Sequence, residues 1–199
     1  MNEPITVPES MTLDRRLLWA LGITSGIAWA AWIYFLFIFE VGSIPNPWDP
    51  WRIVFYVLLL LAPTLTFAPI AFRLRWYFLL PYAVIGWAAF GFLLAFLPPP
   101  LAVLTQQQSP LAVWYYFLDL FVVLTTILAP LAHIAGLRFL SSRTHRRDFV
   151  RAWREAGLLA FYLVGLAIAR NLGLITWPIV LLGLLFLVLV EALFLARKA

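Results

Sequence analysis

The chain has 199 residues, of which 64% are hydrophobic and 12% are charged, and its mean hydropathy is +0.96. Soluble domains carry about 25% charged residues, so this composition excludes a soluble fold, which would lack the polar surface needed to cover itself. The net charge of +5 is more typical of loop arginines that fix membrane topology and contact anionic lipid, and we expect no nucleic-acid partner.

A single α-helix crosses the ~30 Å hydrocarbon layer with about 20 apolar residues, and stretches of that kind fill almost the entire chain. We predict spans at residues 17–39, 53–72, 76–97, 113–137, 156–172 and 178–196. Prolines inside the second, third and fourth spans predict kinked helices, because each removes a backbone hydrogen-bond donor. The sequence therefore predicts an all-α polytopic membrane protein in which residues 1–199 form one bundle of about six helices.

Residues 141–155, between the fourth and fifth spans, mix basic and large apolar side chains. Phe149, Val150 and Trp153 fall on one side of a helix, which indicates an amphipathic helix lying on the inner leaflet. The basic residues of this segment are Arg143, Arg146, Arg147, Arg151 and Arg154. We expect them to face lipid and to contact anionic headgroups. The alternative is that the segment docks a cytoplasmic partner or another membrane subunit.

The distribution of basic residues predicts the orientation in the membrane. With the N-terminus in the cytoplasm, all of the 14 Lys and Arg residues except Arg52 and Arg170 fall on the cytoplasmic side, as the positive-inside rule requires. We therefore expect an integral protein of the cell inner membrane whose N- and C-termini are both cytoplasmic.

Four ionisable residues lie within the predicted spans, where a charge is costly and marks a candidate site by default. They are Asp119 and His133 in the fourth span, Arg170 in the fifth and Glu191 in the sixth. Asp119, Thr126 and His133 recur at every seventh position and so share one helix face within about 40°. This stripe predicts that the fourth span is the most enclosed helix on that face.

A rise of about 1.5 Å per residue places these groups in two layers. Asp119 lies about 9 Å below the outer end of its span, at the same level as Arg170, so we expect these two residues to pair. Glu191 lies about 10 Å above the inner face, where a tight hairpin of the last two spans brings it near Arg154, with His133 as the alternative partner. Such pairs either tie helices together or mark a path for an ion, a proton or a substrate.

Motifs for catalysis and cofactor binding are absent from the sequence, which has no Gly-x-Ser-x-Gly, no His-Glu-x-x-His and no Walker loop. Cysteine is absent as well, so thiolate metal sites are excluded, and one intramembrane histidine cannot supply a two-histidine haem site. We therefore expect no catalytic residue, no metal and no cofactor.

These features favour a small non-catalytic multi-pass protein that serves as an accessory or scaffold subunit. The alternative is a membrane component of a small-solute or ion transporter with a site between the second, fourth and fifth spans. A third hypothesis is a lipid-modifying membrane enzyme. A sealed apolar core with paired charges would favour the first hypothesis, a polar cavity that reaches Asp119 the second, and a polar cluster open to the inner leaflet the third.

Single-cysteine labelling tests the orientation, because the chain contains no cysteine of its own. We expect a membrane-impermeant maleimide added to intact cells to label Gln106→Cys, in the predicted outer loop, and to label His145→Cys only after the cells are opened. Labelling of His145→Cys but not of Gln106→Cys from outside would show the opposite orientation.

Overall fold

The computed structural model describes residues 15–97, 110–139 and 149–196, and these ranges contain six long α-helices, one short 3₁₀ turn and no strand. The helices are α1 (Arg15–Phe37), α2 (Pro50–Leu74), α3 (Leu79–Phe96), α4 (Pro110–Phe139), α5 (Phe149–Asn171) and α6 (Trp177–Ala196), and the turn covers Val41–Ser43. Each helix is long and apolar enough to cross a membrane. The predicted all-helical membrane bundle of six spans is therefore confirmed.

Local sequence explains where α2 begins and ends. Asp49 caps its first turn by accepting a hydrogen bond of 2.9 Å from a backbone N–H, and Pro50 occupies the first helical position. At the other end Arg75 is left-handed, with φ 58°, and the N–H of Trp76 bonds to the carbonyl of Ala71 at 2.9 Å. This Schellman-type ending turns the chain directly into α3.

A glycine ends α5 in the same way. Gly173 has φ 69°, a left-handed conformation that side chains disfavour, and its N–H bonds to the carbonyl of Arg170 at 3.0 Å. The N–H of Leu174 bonds to the carbonyl of Ala169 at 2.8 Å, which completes a Schellman motif. The expected tight turn between the last two spans is therefore present, and α6 begins at Trp177.

Helices that follow one another along the chain are the ones that pack together. The main helix contacts are α1 with α2, α2 with α3, α3 with α4 and α4 with α5. α4 has the largest share of buried residues among the six helices, whereas the apolar segment of α6 has none. α6 packs mainly against α5 and is therefore a peripheral helix.

Two clusters of buried apolar side chains form the core. The first lies at the end of the bundle where α2 and α4 end and α3 and α5 begin, which we call the basic end because Arg73, Arg75 and Arg138 lie there. Its members are Phe67, Ala71, Trp76, Leu79, Ala83, Ala129, Ala152 and Ala156. The second joins α1, α2 and the 3₁₀ turn at the opposite end through Trp32, Phe35, Leu36, Val41, Phe55 and Leu59.

The predicted interfacial helix over residues 141–155 is wrong in its second half. α5 runs without a break from Phe149 to Asn171, so residues 149–155 are the first turns of a spanning helix rather than a separate helix on the leaflet. Two of the three apolar residues of this segment meet protein, because Phe149 and Trp153 pack on Phe78 with ring centroids 5.1 and 4.7 Å away, whereas Val150 is 63% exposed. Residues 141–148, with Arg143, Arg146 and Arg147, lie outside the described residues.

Candidate functional site

Four charged side chains form a network at the basic end, which we call the basic-end ion network. It consists of Arg151, Arg154 and Glu155 on α5 and Glu191 on α6. Two positive charges face two negative charges, so the network is neutral as a whole. Neutral pairing is what a low-dielectric surrounding requires of ionised side chains.

Arg154 and Glu191 tie the peripheral helix α6 to α5. The Arg154 Nη2 and Nε atoms donate to the two carboxylate oxygens of Glu191 at 2.5 and 3.3 Å, a two-point contact. The guanidinium also lies over the Phe194 ring, 4.8 Å from its centroid. The partner of Glu191 is therefore Arg154, as the hairpin register predicts, and not the alternative partner His133.

Arg151 is buried, with 6% of its surface exposed, so the prediction that it faces lipid is wrong. Its Nη1 donates to Glu155 Oε1 at 2.8 Å. The guanidinium packs against Gly136 of α4, at a place where any β-carbon on residue 136 would overlap it. In the sequence, the only hint of this contact is the glycine near the end of α4. No sequence pattern links that glycine to an arginine on another helix.

His133 lies beside this network and not within it. Its ring packs edge-on against Trp76 with centroids 5.1 Å apart, and its Nδ1 is buried with no hydrogen-bond partner in the described residues. Trp76 in turn packs against Phe149 of α5 at 4.8 Å. Because Glu191 is held by Arg154, the titratable His133–Glu191 pair that would suit proton transfer is not formed.

Hydroxyl and indole groups connect α1 to α4 in the middle of the bundle, and we call them the central indole–hydroxyl cluster: Ser25, Trp29, Thr66, Trp87 and Thr126. The Trp29 Nε1 donates to the Thr66 hydroxyl at 2.8 Å, and the Ser25 hydroxyl lies 2.7 Å from the same oxygen. The Trp87 Nε1 donates to the Thr126 hydroxyl at 3.2 Å. The two indole rings pack edge-on, 4.7 Å apart.

This cluster explains Thr126 and adds residues that sequence reasoning missed. Thr126 is fully buried, accepts from Trp87 and donates to the Val123 carbonyl at 2.7 Å, so its polar atoms are satisfied within the bundle. The signal that could have revealed Trp29 and Trp87 is the sequence Trp-Ala-Ala, which occurs at both positions.

Asp119 lies in a cleft between α3 and α4 with a volume of about 310 Å³. The other residues that line this Asp119 cleft are Ala89, Phe92, Leu93, Tyr115, Leu118 and Val122. The Oδ2 atom of Asp119 is buried and has no hydrogen-bond partner in the described residues. The cleft opens at the bundle surface, since Phe92, Tyr115 and Leu118 are 45%, 61% and 61% exposed.

The predicted pair of Asp119 with Arg170 is absent from the described residues. Arg170 is exposed on α5 and makes no side-chain hydrogen bond or salt bridge there, while Asp119 faces α3. The guanidinium of Arg151 on α5 packs against Gly136 of α4, so these two helices are in contact near the basic end. Asp119 lines a cleft between α3 and α4, so it does not meet the exposed Arg170 of α5.

The site offers no obvious chemistry beyond charge pairing, and comparison gives no further guide. Within the described ranges, no group of three or more His, Asp or Glu residues is placed to hold a metal ion. Comparison of the chain with protein families, with curated proteins and with solved structures found no match.

Replacing Gly136 by alanine tests the packing of the Arg151 guanidinium against α4. We expect Gly136→Ala to lower the free energy of unfolding in detergent by about 1–3 kcal/mol, because the new β-carbon displaces a buried guanidinium that is bonded to Glu155. The matched control is Gly157→Ala on α5, where an added β-carbon meets open space. Equal stability of the two variants in thermal unfolding would contradict the close contact between Arg151 and Gly136.

Proposed function

We propose that the protein is a small non-catalytic subunit of the cell inner membrane, an accessory or scaffold component, with both termini in the cytoplasm. The orientation rests on the positive-inside rule, because α2 and α4 end at the basic end with Arg73, Arg75 and Arg138. Anionic headgroups of the inner leaflet are the expected lipid contact of this end.

The observation that carries the proposal is the use of the ionised side chains as structural ties. Arg154 and Glu191 bind each other across α5 and α6, and Arg151 binds Glu155 while resting on α4. Charges that are saturated by one another hold helices together. Asp119 is the exception, because it is unpaired in an open cleft, but the other residues that line this cleft are apolar or aromatic and carry no charge.

The region between α2, α4 and α5, where the transport hypothesis needs a polar site, is packed mainly with apolar side chains, and the charge of the buried Arg151 there is paired with Glu155. Phe67 and Ala71 of α2, Ala129 of α4, and Ala152 and Ala156 of α5 pack into one buried cluster there. These residues offer no group to replace the hydration shell of an ion. The packing therefore favours a structural role over a conduction path.

The peripheral helix α6 gives the bundle a long apolar flank. Its contacts with α5 include the Arg154–Glu191 pair, a hydrogen bond of 2.9 Å from the Tyr162 hydroxyl to the Val180 carbonyl, and close packing of the Tyr162 ring on Gly183. A helix that is attached on one side and otherwise apolar suits assembly with another membrane protein, which supports a subunit role.

Removal of the protein from its cell provides the test. We expect the abundance of at least one other membrane protein to fall at unchanged transcript level when the chain is deleted, because a subunit without its partner is triaged by proteases. Quantitative proteomics of purified membranes measures this change, and re-expression of the wild-type chain should reverse it.

Flux measurements on liposomes that contain the purified protein distinguish the scaffold role from transport. We expect ion and proton flux no greater than that of empty liposomes. Flux that Asp119→Asn abolishes, while the loop variant Asp49→Asn leaves it unchanged, would replace the scaffold hypothesis by transport. A membrane proteome unaffected by deletion, together with a changed lipid profile, would favour a lipid-modifying enzyme.

A further inference from the structure

Two oppositely charged side chains that the sequence predicts within the spans, Asp119 and Arg170, have no partner among the internal pairs. In the described spans, Arg154 pairs with Glu191 and Arg151 with Glu155. Asp119 on α4 and Arg170 on α5 have no ion-pair partner within the described residues. Asp119 and Arg170 carry opposite charges. They could neutralise each other only if the helix faces that carry them were brought together.

A lipid environment makes the unpaired carboxylate costly. An Asp at the centre of a membrane helix costs about 3 kcal/mol on insertion scales, and apolar lining residues cannot supply the missing hydrogen bonds to its buried Oδ2 atom. The Asp119 cleft is open at the bundle surface, where a cationic donor from outside the molecule can reach it. Its geometry is that of a half-complete ion pair.

The bilayer itself fixes the relative height of two copies. Two proteins of the same orientation in one membrane are free to move sideways and to rotate about the membrane normal, but their residues stay at the same depth. The depths counted along the two spans predict a similar level for Arg170 and Asp119, and Arg170 is exposed on α5. An arginine also carries a long flexible stem that bridges a small offset in height.

We propose that the Asp119 cleft is a self-association site that receives Arg170 of a second copy of this chain. The guanidinium matches a carboxylate as a bidentate donor, and the pair neutralises both charges at a single contact. Because each copy carries one cleft and one Arg170, the contact satisfies both groups in a two-fold dimer or a closed ring. This inference goes beyond the accessory role and does not depend on it.

A charge exchange divided between two copies tests the proposal. One copy carries Asp119→Lys and keeps Arg170, and the other carries Arg170→Glu and keeps Asp119. Energy transfer between fluorescent labels measures association in liposomes over a range of protein-to-lipid ratios. We expect the wild type to associate and each variant alone to associate at least about tenfold more weakly, because its own charges repel across the contact.

Mixing the two variants should restore association, since every contact between unlike copies then joins opposite charges. The control is Glu40→Lys, an exposed acidic residue in the turn after α1, which should leave association unchanged. This design separates the proposal from a pair within one chain. An internal pair would be restored by placing both substitutions in the same chain and not by mixing.

Three results would overturn the proposal. A wild type that stays monomeric at every ratio would show that the cleft does not receive Arg170 of a second copy. Association that neither charge variant weakens would mean that copies meet at another surface. Failure of the mixed variants to associate, with recovery in the doubly substituted single chain, would assign Asp119 and Arg170 to one molecule.

Discussion

Hydrocarbon cannot solvate a charge, and this constraint governs the arrangement of the polar groups of the bundle. An ionised side chain inside a span must find its counter-charge and hydrogen-bond partners in protein. Arg154 and Glu191 meet this requirement between α5 and α6, and Arg151 meets it with Glu155. The position of α6 follows from the constraint, because few other contacts attach this helix to the bundle.

Close packing within the bundle depends on small residues and on satisfied indoles. In lipid, no hydrophobic effect drives one apolar helix against another, so association relies on dispersion contacts and hydrogen bonds. Ala129, Ala152 and Ala156 are essentially fully buried and let α4 and α5 approach closely at the basic end. Further along the helices, Trp29 and Trp87 are half-buried, and their N–H groups donate to threonine hydroxyls. The alanines allow close helix packing, and the indole–threonine hydrogen bonds satisfy polar atoms inside the bundle.

The sequence predicts the features that depend on one helix or on one hairpin. Hydropathy alone indicates the six spans, and the turn at Gly173 sets the register that brings Arg154 to Glu191. Features that depend on which face meets which neighbour are not predictable in this way. The depth of Asp119 could be counted along its helix, but its direction toward α3 depends on the packing of three helices. The same limit applies to Arg151. The amphipathic sequence around it is typical of a helix on a lipid surface, although its guanidinium packs against Gly136 of α4.

A double-mutant cycle on Arg154 and Glu191 tests most directly whether charge pairing holds the bundle together. The cycle compares the free energy of unfolding in mixed micelles for Arg154→Gln, Glu191→Gln and the double variant. Mutual dependence of the two residues predicts that the double variant loses less stability than the two single losses added, by about 0.5–3 kcal/mol. Single losses that add to within about 0.3 kcal/mol would show that the residues act independently and would contradict the central claim.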